Sequence, residues 1–132
     1  MKPIHFIVGC PRSGTYLLSS ILDRSGQVAV PTETHFVPLF AQYARLFGDL
    51  EKPDARTRLL AAIYAFLEIW LRRADEERGL ENIIPHSLLA TRGGFNEIVR
   101  DSRSYADIVH ALFEHYAIGK GASQYGDKSA FF

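Results

Sequence analysis

Phe6-Ile7-Val8-Gly9-Cys10-Pro11-Arg12-Ser13-Gly14-Thr15 is the stretch on which the reading of this chain turns. Ile4 to Val8 is a short apolar run with β-branched residues. It reads as a strand buried on both faces, as in a parallel sheet. Gly9 to Gly14 holds two glycines and a proline, which is loop composition. From Thr15 onward, Tyr16, Leu17, Leu18, Ile21 and Leu22 recur at helical spacing, and the pattern stops near Ser25-Gly26. Strand, glycine-rich loop and helix therefore follow one another.

A loop between a buried strand and a helix start is a natural anion site. The first helical N–H groups have no partners inside the helix, and the helix dipole favours negative charge there. Glycines let the backbone close around a phosphate without a Cβ clash. Gly9 and Gly14 have the spacing of a P-loop. A loop of the Walker type needs Lys next, then Ser or Thr to hold magnesium; here Thr15 and Tyr16 stand in those places. The cation has moved inside the loop, to Arg12. Its guanidinium can grip phosphate oxygens bidentately and keeps its charge. These features favour a nucleotide 5′-phosphate held without metal by backbone N–H groups, Arg12, Ser13 and Thr15.

Outward from the loop, Val28-Ala29-Val30 reads as a second strand, closed by Pro31. Phe36 to Phe47 reads as a helix with Pro38 in its first turn. Asp54 to Arg78 is the longest helical stretch, with Leu59, Leu60, Ile63, Phe66, Leu67, Trp70 and Leu71 on one face and Glu68 and Arg72 as an (i, i+4) pair. Gly79 to Gly94 is irregular, and Phe95 to Arg100 is a short helix. Ser104 to Ile118 is a helix with Ser104 as N-cap and Asp107 three residues on. Gly119 to Ser123 is a turn, and a strand is expected near the end as at the start.

Bulk properties set limits. The chain has 132 residues, enough for a single domain over 1–132. Fifteen basic and fifteen acidic residues cancel, so no global field points to nucleic acid or an anionic membrane. The single cysteine, Cys10, excludes an internal disulfide framework and a cysteine-based zinc site. No apolar stretch approaches the roughly 18 residues of a membrane span. The histidines show no metal spacing: His110 and His115 are five apart rather than on one helix face. A cytoplasmic protein is expected, with self-association left open. One strand near each end is few for a complete α/β domain, so the chain is expected to be the N-terminal part of a longer protein or of a truncated gene product.

At these residues the sequence resembles a known family. Phe6 to Thr15 is similar to the 5′-phosphosulfate motif of sulfotransferases that use 3′-phosphoadenosine 5′-phosphosulfate, in the branch of bacterial and tyrosylprotein sulfotransferases with Pro-Arg-Ser-Gly-Thr loops. That branch has a Glu-Thr pair after the first helix, matched by Glu33-Thr34, and often a later Gly-Asp-Lys, matched by Gly126-Asp127-Lys128. Tyr16 replaces a threonine common after the loop, and Ser129-Ala130 replaces the usual Thr-Pro. Arg100-Asp101-Ser102-Arg103 mimics the family's 3′-phosphate segment but precedes the lysine motif, so it is not assigned.

The resemblance implies an α/β, P-loop-like three-layer fold with a parallel sheet, here incomplete. It implies that Pro11, Arg12, Ser13, Gly14, Thr15 and Tyr16 bind 3′-phosphoadenosine 5′-phosphosulfate as sulfuryl donor, with no metal. Glu33 is the candidate base, just past the second strand, where open α/β sheets place ligands; its alternative role is to cap the following helix. Arg12 and Lys128 would balance the charge of the leaving phosphate. His35 is a substitute base. Cys10 beside a helix start is a thiol whose pKa the dipole could lower, or a small residue that packs. Tyr64, Phe66 and Trp70 read as core rather than acceptor pocket. The acceptor would be a hydroxyl on a glycan, a lipid, a small molecule or a tyrosine. A catalytically incomplete fragment and a degenerate P-loop kinase or NTPase remain the alternatives.

Overall fold

The structure, a computed structural model, describes residues 2–31, 33–78 and 92–130, without the side chains of 71–78 and 130. Its elements are β1 (Ile4–Gly9), α1 (Thr15–Arg24), β2 (Val28–Ala29), α2 (Phe36–Tyr43) with a 3-10 turn (Ala44–Phe47), α3 (Pro53–Arg78), α4 (Arg92–Ile98), α5 (Tyr105–Lys120) and β3 (Gln124–Ala130). The fold is α/β with a small parallel sheet. Two compact units divide the chain. One holds residues 1–34 and 113–132, the other 35–112, and the boundary cuts α5.

In the first unit the strand order is β1-β3-β2. β3 separates the two strands that are neighbours in sequence. It pairs with β1 from Ile4↔Tyr125 to Gly9↔Ala130, and with β2 through Val28↔Gln124 and Ala29↔Tyr125. Both ladders are parallel. Gly126 allows the close approach to β1: a Cβ there would meet the His5 carbonyl oxygen at 2.5 Å.

α1 lies against all three strands. It turns Ser19 inward with Thr15 and Leu22 beside it, an (i, i+4, i+7) stripe. The apolar stripe seen in the sequence faces outward: Leu17 is 65% exposed, and Tyr16, Leu18 and Ile21 are exposed too. At the head of the inward stripe, Thr15 packs against the Gly9 backbone, its Cγ2 2.8 Å from where a Gly9 Cβ would be. β1 differs from expectation in the same way. It lies at the edge of the sheet and buries Ile7, while Phe6 and Val8 are exposed; burial on both faces needs layers on both sides.

Asp23, near the end of α1, joins three elements. Its carboxylate accepts the Val30 N–H at 3.0 Å and the Lys120 ammonium at 2.8 Å, with the Tyr116 hydroxyl at 3.5 Å. The end of β2 and the last turns of α5 are thereby tied to α1.

The second unit is helical. Leu59, Ile63 and Leu67 form the buried row of α3, as the spacing implied. Phe36, Phe40, Phe95, Val99 and Ile108 are buried with them. Tyr64 meets Phe95 edge to face at 5.4 Å, and Phe66 stacks on Trp70 at 6.2 Å. The expected helix 36–47 ends as α2 at Tyr43 and tightens into the 3-10 turn before Gly48, whose φ is +94°. α4 begins at Arg92, so Gly93 and Gly94 are helical rather than irregular. The rest of the irregular stretch, 79–91, and the Arg72 side chain of the expected Glu68 pair lie outside the described residues.

The start of α5 is a reciprocal cap. Ser104 Oγ accepts the Asp107 N–H at 3.1 Å, and Asp107 Oδ2 accepts the N–H groups of Ser104 and Arg103 at 2.8 and 3.0 Å. The Arg103 N–H, then Ser104, hold the Asp107 pKa below the ordinary carboxylate value. A depressed pKa adds stability above the unfolded-state value, and that stability is lost as pH falls through the folded-state value. Asp107→Ala should therefore destabilise the protein at neutral pH, by roughly 0.5 kcal/mol for a cap this exposed to solvent. The deficit should persist down to about pH 4 and vanish below it, as denaturant melts at several pH values will report.

Candidate functional site

The carboxyl-side ends of the three parallel strands carry the phosphate loop, Glu33 and Lys128, which the sequence singled out for the anion, the base and the second cation. All of them fall in the first unit. After β1, the chain turns at Cys10, whose carbonyl accepts the Ser13 N–H at 3.2 Å. Arg12 and Gly14 are left-handed, with φ of 64° and 86°. Such alternation aims successive N–H groups toward one side, the geometry of an anion-binding nest. A non-glycine residue held at positive φ is a strained choice that clusters at functional sites. Gly14 O then accepts the Leu18 N–H at 3.0 Å, so the free amides of the first turn of α1 begin directly after the loop.

The two glycines serve different needs. Gly14 supplies the left-handed turn. Gly9 supplies room, because a Cβ there would lie 2.8 Å from both Ser13 Oγ and Thr15 Cγ2. Cys10, Pro11, Arg12, Ser13, Gly14 and the Tyr16 ring are exposed, and Thr15 is half-buried. The loop thus presents N–H groups and a guanidinium to solvent at a helix start.

Lys128 enters through strand register. It pairs with Ile7, two rungs before Gly9↔Ala130. Its side chain is 6% exposed, and its ammonium forms an ion pair with Glu33, 95 residues away in sequence. Burial pushes the Lys128 pKa below the usual lysine range; the neighbouring carboxylate acts the other way. Glu33 therefore spends its charge on Lys128. The N-cap of α2 is His35, which makes no side-chain cap hydrogen bond. His35, in the second unit, meets the Trp70 ring edge-on at 4.6 Å.

Three neighbours had no role assigned from sequence. Asp127 is 1% exposed and accepts the Thr34 hydroxyl at 2.9 Å through Oδ1 and the Ser129 hydroxyl at 2.8 Å through Oδ2. Thr34 and Ser129 are themselves buried. The available signal was the pair of polar strings Glu33-Thr34 and Asp127-Lys128-Ser129. Only tertiary contact reveals that they bind each other.

Loop, lysine and carboxylate together can hold an anion, carry developing negative charge and accept a proton. The Sulfotransferase family matches this chain over residues 3–130, from the start of β1 to the end of β3. The chain belongs to that family. Searches of curated proteins and of solved structures found no match. Among the described residues no helix is long and apolar enough to cross a membrane.

Lys128 should titrate below an ordinary lysine when followed by NMR of its 13C-dimethylated amine. Glu33→Gln should lower that pKa further, because it removes the opposing charge while burial persists. An upward shift would mean that the two groups are not paired in solution.

Proposed function

We propose that this chain transfers a sulfuryl group from 3′-phosphoadenosine 5′-phosphosulfate to an acceptor hydroxyl, with Glu33 as general base. The family supports sulfuryl transfer as the reaction class. The sulfuryl donor and the residue roles are our reading, and one observation carries it. A buried lysine, a carboxylate and a glycine-shaped loop at a helix start meet at the same end of a parallel sheet.

The loop fits a phosphate on chemical grounds, since the left-handed Arg12 and Gly14 turn N–H groups outward at an exposed helix start and Arg12 adds a fixed positive charge. The N–H groups of Gly14, Thr15 and Tyr16, the hydroxyls of Ser13 and Thr15, and Arg12 would hold the 5′-phosphosulfate, with Pro11 and the Ser13 N–H bond to the Cys10 carbonyl shaping the turn. Oriented amides of this kind act without metal.

In the transfer, the acceptor oxygen forms a bond to sulfur as the bond from sulfur to the phosphate oxygen breaks. The electron pair of that bond leaves with the phosphate. Lys128 beside the bridging oxygen, and Arg12 on the phosphate, offset the growing charge. Glu33 takes the acceptor's proton. Until the reacting groups arrive, the carboxylate is held against the Lys128 ammonium. The products are the sulfate ester and 3′-phosphoadenosine 5′-phosphate.

Thermal-shift titration tests the nucleotide class. 3′-Phosphoadenosine 5′-phosphate should stabilise the protein, by about 2.7 kcal/mol at a hundred times its Kd, without magnesium. Arg12→Ala should weaken that binding roughly tenfold to a hundredfold. Stabilisation by ATP–magnesium alone would remove this reading in favour of an NTPase. For the base, Glu33→Gln should lower the transfer rate by about 10²- to 10⁴-fold while the product nucleotide still binds. Measurement of labelled sulfate transfer to a panel of hydroxyl acceptors will report it, and an undiminished rate would exclude Glu33.

A further inference from the structure

We propose that Asp127 is a positioning residue that holds Glu33 and Lys128 in register through one hydroxyl beside each of them. The inference rests on the transfer reading above and adds a residue that the reading does not use.

Alternation along β3 puts Asp127 and Ser129 on one face of the strand and Lys128 on the other. Asp127 therefore cannot be the group that meets the reacting atoms on the Lys128 side. Its carboxylate points instead to two hydroxyls. Thr34 is the residue after the base, and Ser129 is the residue after the cation. One side chain thus binds the immediate neighbour of each half of the ion pair.

The chemistry argues for more than packing. A buried carboxylate is costly unless it is hydrogen-bonded, and an apolar side chain would fill the same volume without that cost. An ionised carboxylate only accepts, so both hydroxyls must donate, and their rotors are fixed by that choice. Thr34 and Asp127 lie 93 residues apart in sequence, so their bond closes the segment after β2 onto β3. Glu33 and Thr34 then contact β3 through adjacent residues, one to Lys128 and one to Asp127. With either link cut, the carboxylate of Glu33 loses its aim. Misplacement by about 1 Å costs a reaction on the order of 10²-fold.

Three variants test this: Thr34→Val, which removes the hydroxyl at nearly constant shape, Asp127→Asn, and Thr34→Ser, which keeps the hydroxyl. The turnover number is taken per active site, counted by titration with 3′-phosphoadenosine 5′-phosphate. Thr34→Val and Asp127→Asn should each lower it about tenfold to a hundredfold, with KM for the sulfuryl donor little changed. Thr34→Ser should restore most of the loss, and a fourth protein that combines Thr34→Val with Asp127→Asn should be no slower than Asp127→Asn alone. A purely structural role predicts a lower melting temperature and fewer active sites but an unchanged turnover per site, and that result overturns the proposal. Amide exchange at Glu33 and Thr34 gives a second reading that needs no activity. Faster exchange in Thr34→Val and Asp127→Asn, but not in Thr34→Ser, supports the link, and unchanged exchange overturns it. Should the intact protein transfer no sulfuryl group, the reaction assignment falls, and the exchange result alone decides whether Asp127 holds the segment.

Discussion

The parallel pairing of β3 with β1 is the constraint from which the site follows. Six consecutive pairs run from Ile4↔Tyr125 to Gly9↔Ala130. Parallel strands need a long crossover between them, and here nearly the whole chain intervenes. The close contact of Gly126 with the His5 carbonyl shows how tightly the two strands meet. A side chain at that position would push β3 away and carry Lys128 with it. Once the register is set, Lys128 stands two rungs from the loop, and the turn after β2 is left to supply a counter-charge.

β3 is a polar strand in a central position. Gln124-Tyr125-Gly126-Asp127-Lys128-Ser129-Ala130 has little of the β-branched character that buried parallel strands favour. Yet Asp127, Lys128 and Ser129 are all buried. What makes this tolerable is pairing: the ammonium with Glu33, and the carboxylate with two hydroxyls. Replacing such a set with apolar residues is often neutral or stabilising in other proteins. Its presence in the middle of the sheet fits a role in chemistry better than a role in stability. Conserved volume alone would not call for a lysine and an aspartate in adjacent positions.

The supporting structure is ordinary by comparison. The cap at Ser104 and Asp107, the buried row of Leu59, Ile63 and Leu67, and the Asp23 link to Val30 and Lys120 each satisfy local needs. Asp23 bears most directly on the site, because it holds the Val30 N–H just before the chain runs on to Glu33. The loop is the other exception. Arg12 is held at positive φ where no glycine eases it, and the guanidinium is delivered to the exposed side of a helix start.

Much was legible in the residues alone. Local chemistry dictates the strand, loop and helix from Ile4 to Arg24, since glycine placement, apolar period and the position of Arg12 all act within a few residues of each other. The cap of α5 was readable for the same reason. Helix ends moved by a few residues, and the helix expected to run to Phe47 tightened after Tyr43, because neighbours rather than propensity decide where a helix stops. What sequence could not yield were relations across distance. The insertion of β3 between β1 and β2, the outward turn of Leu17 and Ile21, and the bond from Thr34 to Asp127 all depend on which face of an element meets which neighbour. Period and composition say that a face exists; only packing, through register and helix rotation, says what it touches.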